Sequence, residues 1–543
     1  MHWPARATGY LSLWLLILVC SCATPSLAFR EYLAPVPRTE VAENPALFFD
    51  MPIDHFGNAS GTYPNRYWVN ATYYKPGGPV FLFDSGEQNA EPLLPYYLQE
   101  YHGLSATMRL AKRYGGIAVL WEHRYYGDSQ PFPVNENTTA AEWQFLTTEQ
   151  ALEDVVYFAN RFTHPTVSPN ILHPSTAPWI WLGGSYPGVR GALLRVRNPE
   201  TIFATWASSA PVEAQVDMAS YYKAAERSLT RNCSADWVAV TKYVDGTLGG
   251  GDRAAADQMK YRLLFAEMSG PGGDTSGAQN LTLEQAANAT NLQAAGILMD
   301  PLSFYQYYGF QASLLPFCNI LETQNYTQAP MEAGLAATYG IEVAFRAFLT
   351  GLAETDYDAI PGSPDDPVQD RSWMWQYCSE YGFYQRGDPN NPLSIETSFR
   401  SLEVFQQGCN EAFPAGLPPA PQVENVNKYG GWDMNPSNVF WTNGEFDPWR
   451  TMGLASIEPN SPFRNSTVAV PACNSSPAND TFFGLLHSNM VHVSDLRVLI
   501  TPDSNHTDFK TVGFYSPVSQ EPFYSGLGLF QLALDEWLPC FGH

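Results

Sequence analysis

The sequence predicts an α/β fold: a parallel sheet with crossover helices, broken by a large and mostly helical insertion. Three observations carry this reading. From about Pro79 to Pro211, short apolar runs alternate with stretches of helical spacing. The texture then changes to Ala-, Gln-, Tyr- and Leu-rich helical segments as far as about Gly430. Strand-like runs resume at Asn438. Strand–helix–strand alternation implies parallel strands joined by crossover helices.

Taken in order, residues 1–28 read as a signal peptide. Arg6 precedes the apolar run Leu11–Val19, and Ser26-Leu27-Ala28 supplies the small residues a cleavage site needs. That run is too short to span a bilayer comfortably, and Leu527–Leu538 is interrupted by Asp535 and Glu536, so no membrane anchor is expected. Residues 29–211 form the first part of the sheet domain. Within it Pro79–Phe83, Ile117–Trp121, Trp179–Leu182 and Phe203–Ala207 are continuous apolar runs, the pattern of strands covered on both faces. Between them Leu146–Phe162 has helical spacing and opens with Thr147 three residues before Gln150, a capping-box pattern. Residues 212–430 form the helical insertion, its segments separated by loops such as Ser269–Ser276 and Ile360–Pro367. Residues 431–543 complete the sheet with strands at Asn438–Trp441 and Leu496–Ile500. No internal repeat is present.

Composition narrows the function. Hydrophobic residues at 45% and charged residues at 15% exclude a disordered chain. Fifty-four acidic against 29 basic residues give a net charge of −25, which repels nucleic acid, and no basic cluster offsets it. Such a surface suits a protein that works in acid, where protonation relieves the self-repulsion. Two of the eight cysteines, Cys20 and Cys22, fall in the signal segment. The other six, Cys233, Cys318, Cys378, Cys409, Cys473 and Cys540, allow three disulfides in an oxidising compartment, with the pairing open. None forms a Cys-x-x-Cys pair, so zinc is not expected, and the serine chemistry read below calls for neither metal nor cofactor. Sequons at Asn58, Asn70, Asn137, Asn232, Asn280, Asn288, Asn325, Asn465, Asn474, Asn479 and Asn505 point to N-linked glycans and a secreted product, or one held in a vacuolar or lysosomal lumen.

The chemistry centres on Gly183-Gly184-Ser185-Tyr186-Pro187-Gly188. A hydrolytic serine needs a sharp strand-to-helix turn that exposes it beside backbone donors. Trp179–Leu182 supplies the strand, and Val189–Arg197, ended by Asn198-Pro199, supplies the helix. Ser185 is therefore the candidate nucleophile of an α/β-hydrolase fold. In that fold an acid and a histidine follow in chain order on loops after late strands. Asp447, just past Val439–Trp441, fits the acid, with Glu445 its rival. Of His487, His492, His506 and His543, only His506 follows the Leu496–Ile500 run directly, so it is the candidate base. The oxyanion hole should use the N–H of Tyr186 and a second donor from Ser85-Gly86-Glu87, either Gly86 or Glu87.

These motifs resemble the Pro-X carboxypeptidase and dipeptidyl-peptidase II family of serine peptidases, fungal secreted members included. The likeness covers roughly residues 46–211 and 438–510. Asp54-His55-Phe56 and Asn65–Asn70 are similar to its N-terminal signature, and Glu122-His123-Arg124-Tyr125-Tyr126-Gly127-Asp128-Ser129-Gln130-Pro131 to its most specific motif. Leu146–Leu152, Gly183–Tyr186, Asn443-Gly444 with Asp447-Pro448-Trp449, and His506-Thr507-Asp508 resemble its further motifs. Pro187, after Ser-Tyr, and Asp503-Ser504-Asn505, before His506, depart from the family pattern. The resemblance implies a helical cap between the sheet halves and peptide substrates cleaved after proline, often in acid. It further implies a substrate-lining role for Trp449. The readings it competes with are a serine carboxypeptidase of the wheat and yeast type, which lacks the Glu122–Gly127 segment, and an inactive hydrolase-fold binding protein.

Overall fold

The computed structural model describes residues 44–57, 59–99, 105–168, 170–355, 366–496 and 526–542. The signal segment, Asn58, Asn505, His506, His543 and residues 497–500 of the expected last strand lie outside these ranges.

Nine strands form one mixed sheet in the order β1-β2-β4-β3-β5-β6-β9-β11-β10. The edge strands β1 (Leu47–Pro52) and β2 (Thr62–Asn70) run antiparallel. From β4 onward every pair is parallel: β3 (Val80–Asp84), β4 (Ile117–Trp121), β5 (Trp179–Gly184), β6 (Ala204–Ser208), β9 (Val439–Gly444), β10 (Asn465–Thr467) and β11 (Thr481–His487). The continuous apolar runs are explained by burial, since every residue of β3, β4, β5, β6 and β9 is buried. This is an α/β-hydrolase sheet with a helical insertion between β6 and β9.

One strand was not in the sequence reading. Of the expected Leu496–Ile500 run only Leu496 is described, in a turn; the strand that precedes His492 is β11, which ends on His487. Gly484 hid it, because a glycine inside an apolar run reads as a breaker. Here it permits contact: a Cβ on Gly484 would stand 1.9 Å from the Trp441 carbonyl oxygen of β9.

Helix α1 (Thr148–Ala159) begins where the Thr147 signal placed it, with the Thr147 hydroxyl accepting the Gln150 N–H at 3.3 Å. Only half of the capping box forms. The Gln150 side chain is spent on the N-terminal segment, donating to Asp54 Oδ1 at 2.7 Å and accepting the His55 N–H at 2.9 Å. Helix α2 (Tyr186–Arg197) follows β5.

The insertion carries α3 (Arg231–Gly249), α4 (Arg253–Glu267), α5 (Leu315–Thr323), α6 (Leu335–Tyr339), α7 (Ile341–Glu354) and α8 (Pro367–Gln376). It also carries the small parallel pair β7 (Gln215–Asp217) and β8 (Gly382–Tyr384). Cys233–Cys318 joins α3 to α5, while Cys378–Cys409 and Cys473–Cys540 close two further loops. Helix α8 is the inner helix, seated on the segment around Glu122–Thr148. Ser372 donates to the Tyr125 carbonyl at 2.8 Å, Trp375 to the Leu146 carbonyl at 3.2 Å, and Trp143 stacks on Trp375. Just beyond it, Glu380 accepts both the N–H and the hydroxyl of Thr148. Among the described residues, no helix is long and apolar enough to cross a membrane.

Candidate active site

At the end of β5 the chain reverses through Ser185, with φ 64° and ψ −130°, and enters α2 at Tyr186. A left-handed φ on a non-glycine residue costs on the order of 1–3 kcal/mol, so its surroundings must impose it. The Ser185 N–H donates to the Ser208 carbonyl at 2.8 Å, and the Ser185 carbonyl accepts the first helical N–H, from Val189, at 3.1 Å. Gly184 lets the histidine loop close on the turn: a Cβ there would lie 2.3 Å from Val493 Cγ1.

Pro187 has a local reason. As the second residue of α2 it needs no N–H. Its ring fills the space beside Gly86, where a Cβ would come within 2.2 Å of Pro187 Cγ, and Gly86 itself takes a φ of 59°. The departure at Pro187 is a packing partner for the loop after β3.

Asp447 is fully buried. Its Oδ2 accepts from Asn443 Nδ2 at 2.7 Å. Its Oδ1 accepts the Trp449 N–H at 2.8 Å and meets Nδ1 of His492 at 2.9 Å. A carboxylate only accepts, so Nδ1 carries a proton, and in the neutral imidazole that tautomer leaves Nε2 the lone pair that a general base needs. Glu445 is half-buried and accepts the Asn489 N–H at 3.0 Å, a loop-fastening contact.

The histidine that meets Asp447 is thus His492, in the turn after β11, whereas His506 lies outside the described residues. His492 N–H donates to the Gln306 carbonyl at 3.2 Å. The next residue, Val493, has a φ of 53°, unfavourable for a β-branched side chain, and its N–H donates to Ser209 Oγ at 2.8 Å. The end of β6 therefore holds both loops, Ser208 the Ser185 turn and Ser209 the His492 turn. Ser208 also donates to Asp495 Oδ1 at 2.5 Å, and Asp495 Oδ2 lies 3.6 Å from His487 Nε2. Sequence reasoning missed His492, Ser208 and Ser209. The signal that could have found His492 is Phe482–Leu486, an apolar run interrupted by Gly484 and placed one loop before it.

Around Tyr186 the hydrogen-bond directions are determined. His123 Nδ1 faces the Arg124 carbonyl at 2.6 Å and must donate, so Nε2 accepts from the Tyr186 hydroxyl at 2.9 Å. Burial, reinforced by Arg190, pushes the His123 imidazole well below its usual range and keeps it neutral. Gln376, on α8, donates to the same hydroxyl at 2.8 Å and accepts from Tyr126 at 2.5 Å. Beneath the turn, Arg190 Nη1 pairs with Asp84 Oδ2 at 2.6 Å.

The two candidates for the second oxyanion donor lie in the loop after β3. The Gly86 N–H donates to Asp84 Oδ1 at 3.1 Å, and Glu87 follows it, buried. Trp449 is 4% exposed, with Phe383 edge-on at 5.1 Å, Tyr221 edge-on at 5.5 Å and the His492 ring 6.1 Å away. Its indole N–H donates to Gln306 Oε1 at 3.0 Å. Among the described residues no cluster of His, Cys, Asp and Glu could hold a metal ion.

A serine on a strained strand-to-helix turn, beside a loop carrying a histidine oriented by a buried aspartate, is equipped for acyl transfer. The family model described as serine carboxypeptidase S28 matches residues 51–247 and 313–467. The chain belongs to this family. It is a serine peptidase, in agreement with the resemblance drawn from its motifs. The match ends before β11, so the place of His492 rests on its contact with Asp447 alone.

Several curated relatives are similar over most of the chain. Serine protease vicPb of Bipolaris victoriae is 27% identical, over 77% of this chain and 80% of its own. A probable extracellular serine carboxypeptidase of Arthroderma benhamiae is 30% identical over 76% of this chain but only 59% of its own length. Thymus-specific serine protease of Mus musculus is 28% identical over 75% of this chain and 77% of its own. Among solved structures, a proline iminopeptidase of Mycobacterium smegmatis covers 83% of this chain and 92% of its own at 12% identity, with a TM-score of 0.33.

Proposed function

We propose that this protein is a secreted serine exopeptidase that cleaves peptides after proline, with Ser185, His492 and Asp447 as its triad. Ser185 Oγ attacks the scissile carbonyl while His492 Nε2 takes its proton, then returns it to the leaving amine. Water releases the acyl group by the same route. Asp447 orients the imidazole and stabilises its charged form. The N–H of Tyr186 and a second N–H in the loop after β3, from Gly86 or Glu87, receive the oxyanion. Trp449, flanked by Phe383 and Tyr221, offers an aromatic face suited to a pyrrolidine ring. The extracellular relative and three disulfides support secretion.

The observation that carries this reading is the 2.9 Å contact between His492 Nδ1 and Asp447 Oδ1. Proline-containing peptides with free and blocked termini, digested by the native protein and by Ser185→Ala, His492→Ala and His506→Ala, test it. Loss of roughly four orders of magnitude in kcat/KM is expected for the first two variants and an unchanged rate for the third. An inactive His506→Ala beside a fully active His492→Ala would return the base to His506. Cleavage indifferent to proline or to blocked termini would remove the specificity or the exopeptidase mode.

A further inference from the structure

The Glu122–Pro131 segment contains a carboxylate that the proposed chemistry does not use. Glu122 is fully buried at the end of β4. Its Oε1 accepts the Ala90 N–H at 3.0 Å and Arg66 Nη2 at 2.7 Å. Its Oε2 accepts Arg66 Nε at 3.0 Å, the N–H groups of Asp128 and Ser129 at 3.1 Å, and the Ser129 hydroxyl at 2.8 Å. Arg66 extends the cluster toward the loop after β3: Nη2 donates to Asn89 Oδ1 at 2.9 Å, and Nη1 pairs with Glu91 at 3.0 Å and Asp128 at 2.7 Å.

The loop between β3 and Glu91 is thereby fixed at both ends. At its start, Asp84 is held by Arg190 and accepts the Gly86 N–H, while Ser85 gives its N–H and hydroxyl to the Trp121 carbonyl at 3.1 and 2.8 Å. At its far end, Asn89, Ala90 and Glu91 are all held by the Arg66–Glu122 pair. Glu87 and Gln88 span the interval, next to the Gly86–Pro187 contact at the nucleophile turn.

We propose that Glu122 and Arg66 are positioning residues whose joint grip on Asn89, Ala90 and Glu91 sets the loop that presents the second oxyanion donor. The proposal rests on the oxyanion reading above. An oxyanion donor acts on the tetrahedral state and hardly on the bound ground state, so displacing it lowers kcat and spares KM. A merely structural pair would instead lower the folded fraction and leave each folded molecule at full speed.

The test is steady-state kinetics of Glu122→Gln and Arg66→Lys per active site, titrated with a fluorophosphonate, with affinities for a peptide boronic acid and a non-covalent product peptide. Lysine keeps the charge of Arg66 but cannot reach Glu122, Asn89 and Glu91 together. We expect kcat to fall roughly 10- to 100-fold, the boronate affinity to fall in step, and KM and product affinity to hold within about two-fold. Full kcat per titrated site in both variants would overturn the proposal. So would equal losses of boronate and product affinity. Should neither variant fold, Asn89→Ala removes the Arg66–Asn89 bond, and with it the contact of Asn89 Oδ1 to the Glu91 N–H, while leaving Arg66 and Glu122 in place, and there too an unchanged kcat is fatal. Failure of the oxyanion reading itself shows separately: boronate affinity of the native protein would then be no tighter than that of the product peptide.

Discussion

In the sheet domain, Asp84, Glu122 and Asp154 are buried against Arg190, Arg66 and Arg124 at 2.6–2.7 Å, whereas in the helical insertion the buried carboxyl of Glu322 meets another carboxyl, that of Asp236. Burial pushes Asp84, Glu122, Asp154 and Glu322 upward, but the neighbouring charge differs. At Asp154, Arg124 and His55 outweigh burial and hold the carboxyl below its usual range. At Asp84 and Glu122 the guanidinium recovers part of the cost. In the insertion, burial and the neighbouring Asp236 act together and push Glu322 up to about 8. Even Glu396, which faces Arg400, is pushed by its burial up to about 7. The sheet thus fixes its charges around the nucleophile turn, while the insertion holds protons that a rise in pH can remove.

The largest effect should come from breaking a pair in the sheet. Arg190→Met leaves the Asp84 carboxyl buried without its partner, directly beneath the turn that carries Ser185. A stranded buried charge costs about 3–5 kcal/mol, and replacing both members of a pair costs much less. Urea unfolding should therefore show a loss of that size for Arg190→Met and partial recovery in the double variant with Asp84→Asn. A single variant within about 1 kcal/mol of the native protein would mean that the pair does not carry the load assigned to it.

The junction between the two regions ranks next. Gln376 is the insertion's contact with the hydroxyls of Tyr186 and Tyr126. Gln376→Leu removes both bonds and leaves the buried Tyr126 hydroxyl unsatisfied, at a cost of about 1–3 kcal/mol, while the Tyr186 hydroxyl keeps its bond to His123 but loses its second partner. Because the backbone N–H of Tyr186 is the proposed oxyanion donor, kcat should fall as well, by less than in Arg66→Lys. Unchanged stability with unchanged kcat would show that the insertion does not brace the turn.

The same division governs what could be read in the sequence. Continuous apolar runs of four or five residues fit strands buried on both faces, so β3, β4, β5, β6 and β9 were legible. The Ser185 turn was legible because glycines flank it between a strand and a helix. Strand β11 was not, because Gly484 breaks its run for the sake of the Trp441 contact, and with it went the loop that brings His492 to Asp447. Ser208 and Ser209 carried no signal at all: they act through the ends of hydrogen bonds whose partners lie far away in sequence. In the insertion the sequence showed helices but neither the Cys233–Cys318 pairing nor the Asp236–Glu322 contact, since both depend on how α3 meets α5.

That contact supplies the smallest effect, and one that depends on pH. Asp236 is tied in place by the N–H groups of Leu335 and Ala336, at 2.6 and 2.7 Å, at the start of α6. Glu322, in contrast, is pushed from 4.5 to about 8 by burial first and by Asp236 second. A carboxyl whose folded value is raised binds its proton more tightly in the folded state than in the unfolded one. Its stabilising share is complete below about 4.5 and is lost as pH rises toward about 8. Glu322→Gln replaces the proton with a permanent neutral group. The variant should melt with the native protein near pH 4 and above it at pH 8, the gap opening across that window. Self-repulsion from the −25 charge grows with pH in both proteins, so the difference between the two melting curves isolates Glu322. Parallel curves from pH 4 to pH 8 would show that the insertion keeps no such proton, and the contrast with the arginine-paired sheet would then be one of geometry alone.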